Sequence, residues 1–198
     1  MPRISADTVA EHVERQEAAV FEAALRLFLE RGYAAVSLAD IAAEVGLARN
    51  SLYRYFPDKA HILVRWLRRE LPEQVAESKR LLGGEGDPVA RIRRWANYQL
   101  DYARQPEHGL IAAFPDVARN LDAATRAELA DSHRELLAPL DGALAEAGLG
   151  AADERAAAAE LIGGLVLTAA ARESRQGKDT AVRTQLDRAI EALAGGSA

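Results

Sequence analysis

Apolar side chains recur every three to four residues along nearly the whole chain, the period of an amphipathic α-helix. Between Thr8 and Arg31, Phe21, Leu25 and Phe28 fall at i, i+4 and i+7, and Gly32 follows as a stop. Ser37-Leu38-Ala39-Asp40 reads as a capping box that opens a short helix running to Val45, ended by Gly46. A second short helix spans Arg49 to Tyr55. Pro57-Asp58 then breaks the chain and caps a long helix from Lys59 to Leu82. Residues 83–88 form a loop whose glycines echo a phosphate cradle; with no strand before them they read as a linker. Beyond it the pattern predicts helices over Pro88–Gln105, Asp122–Ala147, Asp153–Gln176 and Asp179–Ala194, with a short, interrupted one over Pro106–Asn120. Their apolar stripes are Val89/Ile92/Ala96/Leu100/Ala103, then Leu129/His133/Leu136/Leu140/Leu144, and finally Val182/Leu186/Ile190/Leu193. Pro139 predicts a kink.

Composition sharpens this all-α reading. Of 198 residues 49% are hydrophobic, but 42 are Ala, and aromatics make up only 6%. So much Ala favours helix, and so few aromatic and β-branched residues argue against a β fold. There is no Cys, hence no disulfide, thiolate metal site or cysteine nucleophile. The first residues are polar, without a secretory h-region, and the most apolar run, Ala156–Ala171, contains Glu160 and is too short for a membrane span. A cytoplasmic protein with no membrane partner is expected. Catalysis is not: Asp131, Ser132 and His133 are adjacent, so they diverge around a helix, and the four histidines lack metal-ligand spacing. No enzyme activity, metal or cofactor is implied.

The net charge of −5 speaks against a nucleic-acid partner until it is resolved along the chain. Residues 1–45 carry −4 and residues 71–198 carry −5. Residues 46–70 hold Arg49, Arg54, Lys59, Arg65, Arg68 and Arg69 against Asp58 and Glu70, a net of +4. A local basic patch is what phosphate contact needs. It coincides with two short helices joined through Gly46, the pattern of a helix-turn-helix over residues 37–56. Ile41, Ala42 and Val45 face inward from the first helix, and Leu47, Leu52 and Phe56 bury the other side. Arg49, Asn50, Ser51, Tyr53, Arg54 and Tyr55 remain outward, residue types and sizes suited to a major groove.

These residues resemble the TetR family of bacterial transcriptional regulators from about Ala18 to Leu67. The resemblance rests on Leu27-Phe28, Gly32-Tyr33, Ser37-Leu38 with Ile41-Ala42 and Gly46, then Ser51-Leu52-Tyr53, Tyr55-Phe56 and Lys59. It implies a DNA-binding domain over 1–60 and a helical ligand-binding and dimerisation domain over 61–198. It further implies that Ser37 caps its helix and touches phosphate, that Arg49, Asn50 and Ser51 reach base edges or phosphates, and that Tyr53 packs on the backbone or a thymine methyl. Tyr55 and Lys59 would bind phosphate, with Arg54 an additional contact. Two positions depart from the family pattern. Ala48 replaces the usual Ser or Thr cap of the second helix, and Ala39 offers no base contact, so specificity should rest on the second helix.

One recognition helix reads a half-site, so such a protein is expected to act as a homodimer on a palindromic, double-stranded operator. The expected dimer surface is the last two helices: Ala156, Glu160, Gly163, Gly164, Leu167 and Ala171 from one, Val182, Leu186, Ile190 and Leu193 from the other. A pocket for a small, mostly apolar or aromatic effector is expected among Trp66, Trp95, Tyr98, Gln99, Tyr102, Phe114, His133 and Thr168. The resulting expectation is a ligand-released repressor. The alternatives are an activator, or an architectural helical dimer without operator specificity.

Overall fold

The computed structural model describes residues 6–53, 55–105, 108, 117 and 121–195. Among them the regular elements are all helical: α1 (Ala6–Arg31), a 3-10 turn (Tyr33–Ala35), α2 (Leu38–Glu44), α3 (Arg49–Tyr53), α4 (Lys59–Leu82), α5 (Pro88–Ala103), α6 (Ala123–Glu146), α7 (Ala152–Gln176) and α8 (Thr180–Ala194). The interrupted helix expected over Pro106–Asn120 lies almost wholly outside the described residues. The chain divides into two compact units, Met1–Leu67 and Arg68–Ala198. No helix among the described residues is long and apolar enough to cross a membrane.

The first unit closes around Val20, Ala24, Leu27 and Phe28 of α1, Leu38, Ile41 and Ala42 of α2, Leu52 of α3, then Phe56, with Ile62, Leu63 and Val64 of α4. Phe56 meets Phe21 edge-on at 5.7 Å between centroids. Burying one such side chain stabilises by roughly 1.5–3 kcal/mol, which lets three short elements persist where none would alone. Glycine sets the corner between α2 and α3. Gly46 takes φ +67°, its amide donates to Ala43 O, and the Leu47 amide donates to Ala42 O at 2.8 Å. That pair of bonds is a Schellman ending, and the positive φ is why a glycine stands there.

In the second unit α7 packs against α5, α6 and α8, and α5 against α6 and α8. Its core holds Ile92, Trp95, Ala96 and Leu100 of α5, Leu137, Leu140 and Leu144 of α6, Ile162 and Val166 of α7, and Leu186 and Ile190 of α8. Helices α6 and α7 approach closely at Gly163, where an added Cβ would lie 2.9 Å from Leu137 Cδ1. The buried stripe of α6 differs from the expected one in its first half. Ser132 and Leu137 face inward, Leu129 and Leu136 are half-buried and His133 is exposed. Both Pro72 and Pro139 sit inside continuous helices.

An ionic knot joins three helices of this unit, buried at Glu173 and Arg183 and open to solvent at Asp101. Arg183 of α8 donates to both carboxylate oxygens of Glu173 of α7, at 2.9 and 2.7 Å, and to Asp101 of α5 at 2.7 Å. Glu173 is 1% exposed. Burial alone would push its carboxyl up, but hydrogen bonds from Arg183 and the Asp179 amide, with the Arg183 charge, hold it below the usual range. Arg91, itself buried, ties the Gly84 carbonyl to Glu146 at the end of α6.

Candidate nucleic-acid interface

The reading element starts at a helix cap. Ser37 Oγ accepts from the Asp40 amide at 3.2 Å and donates to the Asp40 carboxylate, which also takes the Ser37 amide at 2.8 Å. These bonds satisfy the Ser37 and Asp40 amides at the α2 N-terminus and drop the Asp40 carboxyl below its ordinary value, the Ser37 side chain contributing most. They also occupy both donors of Ser37. The expected phosphate contact from its hydroxyl would therefore compete with the cap.

Ala48 carries no side-chain cap for α3, so the first turn closes through its own carbonyl, which accepts from Ser51 N at 2.8 Å and Leu52 N at 3.3 Å. The described helix is Arg49–Tyr53, and Tyr55 lies in a turn. The amides of Tyr55 and Phe56 both fold back to Leu52 O at 3.0 Å. Leu52 is 0% exposed and anchors the helix, which turns Asn50 and Tyr53 outward, Tyr53 at 42% exposure. Ser51 and Tyr55 are half-buried. The Arg49 side chain and the whole of Arg54 lie outside the described residues. Below the element, Arg26 pairs with Glu44 at 2.5 Å and Arg65 with Glu17 at 2.9 Å, bracing α1 against α2 and α4.

Lys59 departs most from expectation. Its ammonium turns inward and donates to the carbonyls of Tyr33 at 2.6 Å, Ala34 at 3.3 Å and Val36 at 2.8 Å. It also lies 4.4 Å from the centroid of the Tyr33 ring. Burial lowers its pKa, and burial next to Asp58 pushes the Tyr33 phenol up to about 12. All three ammonium protons are engaged inside the unit, so the geometry does not aim Lys59 at a phosphate.

In the second unit, the expected dimer residues separate into two sets. Ala156, Glu160 and Gly164 are exposed and Leu167, Ala171, Val182 and Leu193 half-buried. Gly163, Leu186 and Ile190 are buried in this unit's own core, with Leu186 also at the floor of the groove between the two helices. Periodicity missed Leu161 and Leu165, exposed at 56% and 40%; their outward face shows only once α7 is seen packed on three sides. Between α7 and α8 lies an open groove of about 580 Å³, lined by Leu165, Thr168, Ala169, Arg172, Asp179, Ala181, Val182, Gln185, Leu186 and Ala189.

The expected effector residues scatter. Trp66 belongs to the first unit, where it is buried. Trp95 fills the second unit's core and donates to Ser78 Oγ at 2.9 Å. Tyr98 accepts from Gln74 at 3.4 Å, and Tyr102 stacks on His108 at 3.7 Å. His133 and Thr168 face outward, and Thr168 lines the α7–α8 groove. Desolvation by its surroundings lowers the His133 pKa although the ring is exposed, the charge of Glu160 opposing. Phe114 lies outside the described residues. Among the described residues, Gln74 Oε1 and Gln99 Nε2 are buried without a hydrogen-bond partner. No cluster of His, Asp and Glu among them could hold a metal.

Two short helices crossing at a Schellman glycine, the second presenting polar side chains, define a helix-turn-helix, the element with which many proteins read DNA. Residues 20–65 match the bacterial regulatory proteins of the tetR family. The chain is 36% identical over 73 residues to the transcriptional repressor KstR of Mycolicibacterium smegmatis, a match covering 37% of this chain and 36% of KstR. It is 27% identical over 120 residues to the repressor KstR2 of Mycobacterium tuberculosis, covering 61% and 60%. The chain thus spans about a third to three fifths of these relatives' length. Its fold is that of the Thermus thermophilus repressor FadR, solved in complex with lauroyl-CoA, at a TM-score of 0.69 and 18% identity over 92% of this chain and 95% of that one.

Proposed function

We propose that the protein is a transcriptional repressor that binds a palindromic operator as a homodimer and is released by a small, mostly apolar effector. The observation that carries the DNA-reading part is α3. Leu52 is locked in the core while Asn50 and Tyr53 face outward from the same five residues, beside a segment carrying net +4. Asn can bond adenine bidentately in the major groove, and Arg49, one residue earlier, can bond guanine. Ser51 and Tyr55 flank these readers, with Arg54 as a phosphate contact.

The homodimer is supported by the exposed Leu161 and Leu165 beside the α7–α8 groove, with Ala156, Glu160, Gly164 and Thr168 on the same helix. Small side chains there admit a close four-helix contact. The effector is supported by the two unpartnered carboxamide atoms, Gln74 Oε1 and Gln99 Nε2, within an apolar unit. A ligand with an apolar body and a neutral hydrogen-bonding group would satisfy them. Release then follows from the effector's preference for the conformation that DNA does not favour.

Selection of duplexes from a random pool tests this, with wild type, Arg49→Ala and Asn50→Ala side by side. A palindrome enriched by wild type and lost or relaxed in the variants is the expected result. No enrichment at low or physiological salt would sink operator recognition and leave the architectural dimer. Displacement from the recovered duplex is then assayed with fatty acids, aromatic hydrocarbons and lauroyl-CoA; activity of lauroyl-CoA alone would replace the neutral effector with a charged one. The recovered site downstream of or overlapping a promoter supports repression, and a site upstream with activated transcription supports the activator.

A further inference from the structure

The ammonium of Lys59 converges on one turn of the main chain. Its three N–H groups meet the carbonyls of Tyr33, Ala34 and Val36 at 2.6, 3.3 and 2.8 Å, and the Tyr33 ring lies against its charge. Those carbonyls belong to the 3-10 turn and to the residue just before the α2 cap, Ser37. Lys59 is itself the first residue of α4. A cation at a helix N-terminus opposes the helix dipole, so the position is favourable only because three carbonyls receive it. In sequence, α2 and α3 lie between the two ends of this contact.

We propose that Lys59 is a positioning residue for operator recognition: it latches the entrance of α2 to the start of α4, and it does not contact phosphate. The latch sets the direction in which the chain enters α2, and α3 follows through the Gly46 corner. DNA affinity then depends on Lys59 through the orientation of α3. This rests on the DNA-binding reading above.

The test uses the full-length protein, its Lys59→Met variant, which removes the charge, and its Lys59→Arg variant, which keeps it. Amide hydrogen exchange without DNA is followed by mass spectrometry, and binding to the duplex enriched by wild type is measured across a salt series. Arginine's planar fork cannot place three donors on carbonyls that converge on one point. Both variants should therefore exchange about tenfold or more faster over residues 33–44, while α5 to α8 keep wild-type protection. Both should bind more weakly with the wild-type slope of log K against log salt. A phosphate contact would give the opposite pattern. The slope would fall by about 0.9 per lost contact in Lys59→Met, would return in Lys59→Arg, and exchange over 33–44 would stay unchanged. That result, or wild-type protection in Lys59→Arg, overturns the latch. If wild type enriches no duplex, operator recognition fails, but the exchange measurement still decides the latch.

Discussion

The two units are held together by different kinds of interaction. In the first, the devices that shape the reading element are local, beside longer-range ties such as Arg26–Glu44, Arg65–Glu17 and the Lys59 contacts. The Ser37–Asp40 box spans three residues and the Gly46 ending spans five. In the second, the polar contacts that fix the helices join distant positions: Arg183 reaches Asp101, 82 residues away, and Arg93 reaches Glu191, 98 away. A local device can be strengthened or removed with a small, contained effect. An ionic knot shared by three helices cannot lose one member without stranding the others. The difference can be broken deliberately, and the largest effect is expected in the second unit.

Glu173→Ala leaves Arg183 buried with only Asp101 and Asn97 as partners. Breaking a buried ion pair in this way typically costs about 3–5 kcal/mol. Urea unfolding of the variant should show that loss, while hydrogen exchange over α2 and α3 stays at wild-type rates. Replacing Glu173, Arg183 and Asp101 together by apolar residues should recover much of it. Acid tests the same knot. Glu173 and Asp101 both have folded-state pKa values lowered in part by Arg183. Their contribution is complete above the unfolded carboxylate range and is lost as pH falls through the folded values. Wild type should lose stability below about pH 4.5. In Glu173→Ala the acid loss should be shallower; an identical acid profile would show that the knot does not contribute.

Asn50→Ala comes next, and it separates function from stability in the first unit. The side chain is exposed, so unfolding should not change. Loss of a bidentate base contact costs about 1–3 kcal/mol of discrimination. Affinity for the enriched duplex should fall about 10- to 100-fold, and affinity for a scrambled duplex should hold. An equal fall on both duplexes would make Asn50 a backbone contact. Ser37→Ala should have a smaller effect, about 1 kcal/mol of stability, from the lost cap. It should also speed exchange at the α2 amides, which a phosphate contact made only in the complex would not do.

How much could be read from the sequence follows the same division. The Ser37 cap, the Gly46 corner and the inward Ile41, Ala42, Leu52 and Phe56 were legible because each is set by neighbours a few residues away. The inward contacts of Lys59 were not legible, because its three carbonyl partners lie 23 to 26 residues earlier. In the second unit periodicity located the stripe of α5 and the buried Leu140 and Leu144. It could not choose between the unit's own core and a partner surface for Gly163, Leu186 and Ile190, because both environments demand small or aliphatic side chains. It passed over the Arg183–Glu173 knot for a related reason: charged residues on a helix usually mark its solvent face.

The smallest effect tests a place where the reading element lacks a local device. Ala48 precedes α3 without a capping side chain, and the helix is five residues long. A serine there would offer an acceptor to the Asn50 or Ser51 amide, worth about 0.5–1 kcal/mol. Unlike Asn50→Ala, Ala48→Ser adds nothing that faces a base. Any gain in affinity must then come from ordering α3 before binding, a cost otherwise met when the complex forms. Slower exchange at residues 50–53 with roughly two- to fivefold tighter binding is the expected pair of results. Slower exchange with unchanged affinity would show that α3 is already set in the free protein. The core anchor Leu52, and not the cap, would then be what prepares the reading helix.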